Sequence, residues 1–396
     1  MNFSIMLWNG SMLAAIAGIM VAPSVLAQDI GALEKTRQGA EKTGGAQTVS
    51  RSKKTMKLVV SGHINRLIQY RDNGTKSGFI HATSQESRSR VRWVGTGRIN
   101  DDLTLGTYIE FGNQSAISTA QDLGDNTDQG NNGGNALDER FLDLSITSKT
   151  LGKIYIGQGS RGSESTSERD LSGTGLLSLN GDEFLVAASE VFQSNSIGGK
   201  STGISVGTVM NNFDGLGRRD RIRYDTPKYA GFQITASHAN DDAWDVALRY
   251  GGSLGSVKMT GAIAYSDTQT VNVRSIVNGS FSILLPVGLS FTVAGADQDD
   301  DAGGASDSTD WVYGNIGYKF TALDIGQSRL YASWGEVDDR GGLGNEATAI
   351  SVGLVQIIQP LGMEFQFGYA NFDVDLGSGV NTNDIDVVTM GLRAKF

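Results

Sequence analysis

The chain has no cysteine, four prolines and three histidines in 396 residues. Without cysteine there is no disulfide, no thiolate chemistry and no cysteine-based zinc site. The histidines, His63, His81 and His238, form no His-x-x-x-His pair and no cluster with carboxylates, so each reads as an ordinary polar side chain. After residue 27 no apolar run approaches the ~18–20 residues that a spanning helix needs. No Lys/Arg cluster forms a phosphate-tracking stripe, and a formal net charge of −10 argues against nucleic acid as a partner. The glycine stretches 95–97 and 157–159 precede neither a helix nor a Lys-Ser/Thr pair, which excludes phosphate loops. The Asp/Asn/Gly segments 122–135 and 297–307 lack EF-hand spacing and read as solvated loops. The sequence thus predicts no catalytic residue, no metal and no cofactor.

Glycine, by contrast, is abundant. There are 53, about 13% of the chain against an average near 7%, with no collagen period. Mean hydropathy is −0.19. Strands that alternate apolar and polar residues average out to such a value, so a membrane β-barrel is compatible with it.

Residues 1–27 read as a secretory signal peptide, with an apolar core over 12–21 and Val25-Leu26-Ala27 before Gln28. The first ten residues carry no Lys or Arg. An uncleaved membrane anchor is the alternative, and its apolar core is short for a span. Residues 28–56 are polar and read as a flexible periplasmic leader, in which 29–42 has the pattern of a short helix.

From residue 57 the chain repeats one unit, about ten residues of alternating character followed by turn residues. The strands expected are 57–71, 87–100, 103–113, 138–147, 152–159, 218–226, 231–239, 243–251, 257–267, 271–284, 288–297, 309–320, 327–336, 346–358, 362–374 and 384–396. Sixteen is an even number, as an up-and-down bacterial barrel requires. Connections alternate in kind. Those at 100–102, 148–151, 227–230, 252–256, 285–287 and 359–361 are tight; those at 114–136, 298–308, 337–345 and 375–383 are longer and polar. Short periplasmic turns and long external loops give this asymmetry, with Phe396 in the periplasm. Two external connections, around 240–242 and 268–270, are short. The fold class expected is all-β: a transmembrane antiparallel up-and-down barrel of about sixteen strands over 57–396. A sandwich or propeller does not predict two-sided loops.

In 244–250 one face is Trp244, Val246, Leu248 and Tyr250, and the other is Asp245, Ala247 and Arg249. A charge facing lipid at the midplane costs ~2–4 kcal/mol, so charges belong in the lumen. Arg66 breaks the rule by sharing a face with Ile64 and Ile68. Most aromatics fall on the presumed outer face, which argues against an aromatic sugar slide. A charged lumen is water-filled, and a wet tube through a bilayer conducts small hydrophilic solutes and ions.

Sixteen strands leave an opening too wide for wall side chains to fill. The stretch 160–217 is too long for an ordinary loop, and it is expected to fold inward as a constriction, with 183–192 forming a short helix. Its acidic residues Glu164, Glu168, Asp170, Asp182 and Glu183 are the candidate acidic side. Arg88, Arg90, Arg92 and Arg98 share one face of the second strand, and Arg219, Arg221 and Arg223 one face of the sixth. A basic wall opposite an acidic loop sets a transverse field. Alternatively the arginines pair with lumen carboxylates and hold the loop. The Asp-rich mouth, Asp297 and Asp299 to Asp301, leans the ion preference towards cations.

Three segments resemble general porins of Gram-negative bacteria, especially alphaproteobacteria. They are Val59-Val60-Ser61-Gly62-His63-Ile64-Asn65-Arg66, the hairpin Arg221-Ile222-Arg223-Tyr224-Asp225-Thr226-Pro227-Lys228-Tyr229-Ala230-Gly231-Phe232, and the ending Gly391-Leu392-Arg393-Ala394-Lys395-Phe396. The likeness spans 58–396. It implies a sixteen-stranded homotrimer with passive transport, an inward third loop, and subunit contacts near the first and last strands, where Arg66 would lie. The leader is longer than this family's usual start. The expectation is an outer-membrane, passive diffusion channel among lipid and lipopolysaccharide. A substrate-selective channel and a structural barrel without transport are the alternatives. An outer-membrane enzyme would need a Ser, His and acid constellation, and only His81 falls in an expected external loop.

Overall fold

The computed structural model describes residues 47–49, 56–113, 115–124, 137–178, 180–196, 199–240, 242–270, 272–300 and 308–396. The expected signal peptide and most of the leader lie outside them. The first strands are β1 (Gln47–Val49), β2 (Met56–Asp72), β3 (Ser77–Thr83), β4 (Arg90–Arg98), β5 (Leu103–Asn113), β6 (Leu137–Ser148) and β7 (Gly152–Ser160). An inner loop carrying β8 (Val191–Gln193) and β9 (Ser201–Ser205) follows. Then come β10 (Arg218–Asp225), β11 (Phe232–Ala239), β12 (Trp244–Leu254), β13 (Val257–Asp267), β14 (Val273–Leu284) and β15 (Leu289–Asp300). The last are β16 (Ser308–Leu323), β17 (Gly326–Asp338), β18 (Glu346–Ile358), β19 (Met363–Asp375) and β20 (Ile385–Lys395).

Each wall strand pairs antiparallel with its neighbours, and β20 pairs with β2 from His63↔Lys395 to Asp72↔Asp386. That register closes a barrel of 16 strands. Closure satisfies the backbone of most of the wall strand to strand, but β3 pairs with β2 alone, and on its other side Thr83 N donates to the Ala116 carbonyl. Phe396 seals the seam. Its N–H donates to Gly62 O at 3.0 Å and its carbonyl accepts from Gly62 N at 2.9 Å. Just below, β1 pairs with β2 (Gln47↔Val60), so the end of the leader adds a short strand where β20 has stopped.

The second wall strand differs from the expected 87–100. Upper β2 pairs with β3 (Arg66↔Thr83) and lower β2 with β4 (His63↔Arg90). One wall position is therefore filled by two half-strands, and 84–89 between them turns out of the sheet. His81 belongs to β3 and faces outward, so it is not in an external loop.

Alternation sorts the faces. In β2, His63, Asn65, Leu67, Gln69 and Arg71 are buried, while Ile64, Ile68 and Tyr70 are exposed. Arg66 is on the outer face and donates through Nη1 to Thr83 Oγ1 at 2.7 Å. Several aromatics break the expectation that they face lipid. Trp311, Tyr313, Tyr331 and Phe372 point inward and are buried. Their cover is the inner loop. Phe192, Val206, Val209, Met210 and Phe213 pack on Trp311, Phe372, Val374 and Val387 to form an apolar core inside the barrel, beneath one half of the external mouth. The expected helix at 183–192 is instead a single 3-10 turn (Asp182–Val186) leading into β8.

Candidate functional site

The inner loop leaves the wall after Ser160 and lies across the lumen. Its root is held by β12. Asp245 accepts from Gly162 N (3.0 Å), Ser163 N (2.9 Å) and Ser163 Oγ (2.6 Å). Arg249 donates to the carbonyls of Gly162 (2.5 Å) and Glu164 (2.8 Å). Farther along, Arg169 N and Leu171 N donate to Ser280 and Ser282 on β14. At the far side Arg71 is fully buried, lies 3.6 Å from Glu190, and donates to the carbonyls of Gln121, Ser118 and Val186. One guanidinium thus ties β2, the second external connection and the inner loop together. Burial raises the Glu190 carboxyl above its ordinary range, and the Arg71 charge offsets part of that rise.

The arginines gather on the wall facing this loop. Glu110 on β5 is wholly buried and takes three of them: Arg90 Nη1 at 3.2 Å, Arg92 Nη2 at 2.8 Å and Arg140 Nε at 2.8 Å. Arg88, in the 84–89 turn, meets Asp138 at 3.0 Å. Arg221 forks onto Asp143 at 2.9 and 2.7 Å, and Arg223 onto Asp225 at 2.6 and 3.0 Å. Tyr155 lies under both forks, 5.5 and 5.3 Å from the guanidinium carbons. These planar cations are fixed by bidentate pairs and aromatic faces, which a lysine could not reproduce.

The acidic residues of the loop are spread more widely than a single facing surface. Glu164 pairs with Arg218 at 2.6 Å. Asn212 donates to Glu168 (3.3 Å) and Asp182 (2.6 Å). Asp170 accepts from Ser172 N and from Thr292 Oγ1, both at 2.9 Å. Glu183 accepts from Ser178, Tyr313 and Ser333. Two arginines stand apart from the group. Arg98 is exposed at the periplasmic turn, bonded to Asp101 and the Asn100 carbonyl, because β4 has run to its end there. Arg219 is exposed at the external end of β10.

A constricted, charged and closed strand tube is a channel's geometry, and the sequence comparison agrees. Residues 12–377 match the Gram-negative porin family model. The chain belongs to the Gram-negative porin family. It is an outer-membrane channel for passive diffusion. No curated protein matches the sequence. Among solved structures, this porin is similar to an anion-selective porin from Comamonas acidovorans (15% identity, TM-score 0.55, 86% of this chain and 100% of that one). It is also similar to the outer membrane channel DcaP of Acinetobacter baumannii (12%, 0.55, 88% and 100%) and to Salmonella typhi OmpF in complex with daunomycin (12%, 0.53, 88% and 100%). At these identities the likeness is one of fold.

Sequence reasoning missed the residues that neutralise the arginines. In this porin they are the wall carboxylates Glu110, Asp138, Asp143 and Asp225, joined by Arg140 and Arg218. The signal was present, since Glu110 and Asp143 occupy inward positions of their strands. The Asp-rich mouth is a different matter. Asp297 is exposed on the outer face of β15, and Asp299 on that face pairs with Arg274 at 3.0 Å. Asp300 shares the inward side with Gln298 and accepts from Gln298 and Thr309 at 2.7 Å each, and Asp301 lies outside the described residues. Asp297 and Asp299 give the lumen no cation lean.

Proposed function

We propose that this porin is a non-specific diffusion channel, a homotrimer in lipopolysaccharide-bearing outer membrane, with residues 1–27 removed on export. Its constriction is the gap between the inner loop and the wall carrying Arg88, Arg90, Arg92, Arg221 and Arg223. Small anions are favoured over cations. One observation carries that preference: three guanidiniums gather on the single carboxylate of Glu110, which makes this stretch of the wall opposite the inner loop basic. The Comamonas acidovorans relative is described as anion-selective; the proposal for this chain rests on its own arginines.

Planar-bilayer recording of the purified protein in a salt gradient tests the reading. Stepwise conductance with an anion-side reversal potential is the expected result. Absence of steps would sink the diffusion-channel reading, and a cation-side potential would sink the anion preference. Intact mass starting at Gln28, and the mass of the detergent-solubilised assembly, test export processing and the trimer.

A further inference from the structure

Lys319 and Arg329 are direct cross-strand partners on β16 and β17, and both face the lumen near its periplasmic half. Like charges placed opposite each other on a sheet are destabilising, so folding alone does not account for the pair. Both converge on the lower edge of the inner loop. A Cβ built on Gly173 would sit 3.0 Å from Arg329 Nη1 and 3.1 Å from Lys319 Nζ. Arg329 is anchored by Nε to Gln327 Oε1 (3.0 Å) and by Nη1 to the Gly173 carbonyl (2.8 Å). Its Nη2 and the Lys319 ammonium have no hydrogen-bond or ion-pair partner among the described residues.

The carboxylate best placed to neutralise them, Asp170, acts on both through space but forms no ion pair with either. Asp170 spends its oxygens on Ser172 N, Thr292 Oγ1, Gly173 N and the Ser172 hydroxyl. On the neighbouring wall Glu364 is shared by Arg393 (Nε at 2.6 Å) and Lys395 (2.9 Å), so it too is in deficit. The cations are half-buried on the lumen face. They present a fixed fork and a point charge with free donors, at a spot separate from the Glu110 arginines.

We infer that Lys319 and Arg329 form an oxyanion-binding station, taking a phosphate or carboxylate group of a solute on the periplasmic side of the inner loop. Charge-assisted N–H donors from a planar guanidinium and an ammonium suit such a group. A weak second site beyond a constriction draws an anion onward without trapping it, as multi-site conduction requires. The inference rests on the anion preference proposed above, and its test is independent of that preference.

The probe is inorganic phosphate and the protein is the full-length assembly. Binding is read by equilibrium dialysis in detergent at low salt, and block by single-channel recording. Wild type is expected to bind phosphate, with block developing faster from the periplasmic side. Lys319→Gln should weaken binding about tenfold, the loss of one charge-assisted contact. Lys319→Glu should abolish it, and both should keep the stepwise KCl conductance. Neutralising Arg90 and Arg92 should leave phosphate binding intact. Phosphate binding that is absent in wild type, or unchanged in both Lys319 variants, overturns the station. Channels that conduct with cation preference but still bind phosphate through Lys319 would sink the earlier reading and leave this one standing.

Discussion

Asp245 on β12 receives both the backbone N–H and the hydroxyl of Ser163, at 2.9 and 2.6 Å, at the point where the inner loop leaves the wall. The carboxylate is almost wholly buried, so these bonds are made in place of water rather than in competition with it. Gly162 N and Ser237 Oγ complete its shell.

Asp245→Ala should release the loop root without opening the barrel. The donors left unpaired cost about 1–3 kcal/mol each. The expected outcome is a noisier open channel and new protease cleavage near residue 162, with the barrel's heat-resistant gel mobility retained. Asp245→Asn should fall between the two. A quiet, uncut Asp245→Ala channel would show that the loop root is held by other contacts.

Glu110→Gln removes the one carboxylate shared by Arg90, Arg92 and Arg140. Breaking one side of a buried charge cluster costs about 3–5 kcal/mol. The urea midpoint should drop accordingly, while the reversal potential moves further to the anion side. Arg90→Glu with Arg92→Glu should move it the other way. If neither changes the potential, these residues do not face the conducting path.

Much of the architecture could be read because the period of two survives wherever the lumen face is polar. Trp244, Val246, Leu248 and Tyr250 against Asp245, Ala247 and Arg249 is such a case. It failed where the lumen face is apolar. In β3 the inward Ile80 and Ala82 pack with Leu67 and Leu123 while Ser77, Phe79 and His81 face out, so the usual polar-in, apolar-out alternation is missing and the strand went undetected. Trp311 and Tyr313 face inward for the same reason, since the loop supplies a core for them. The Glu110 cluster depended on a register that sequence does not carry. A bulge between Glu110 and Phe111 shifts β6 against β5 and brings Arg140 to the same carboxylate as two arginines from β4.

Glu86 gives a pH prediction. It sits in the 84–89 turn, half-buried as a residue, with both carboxylate oxygens buried and unpartnered. Burial first, then the nearby Glu183 and Glu168, raises its carboxyl well above the ordinary range. Below an unfolded value of about 4.3 it is neutral in both states. As pH rises the unfolded chain ionises first, so this group's contribution to stability is lost until pH passes the folded value. The urea midpoint of wild type should therefore decline over that window, and Glu86→Gln should flatten the decline. Equal pH slopes for the two proteins would remove Glu86 as the cause.

The apolar end of the loop is testable apart from its polar root. Phe192 is fully buried in the core that covers Trp311 and Phe372. Phe192→Ala leaves a cavity worth about 3–5 kcal/mol, and it falls on the loop's docking rather than on the hydrogen-bonded wall. The barrel should therefore still assemble, because its closure rests on backbone pairing between β2 and β20. Conductance should rise and fluctuate, since the undocked segment no longer fills its half of the lumen. An outer-face control, Ile234→Ala on β11, loses surface that already faces out and should leave conductance unchanged. Should Phe192→Ala keep the wild-type conductance, the segment stays docked without its largest anchor, and the polar contacts at Asp245, Arg249 and Arg71 would be sufficient to shape the pore.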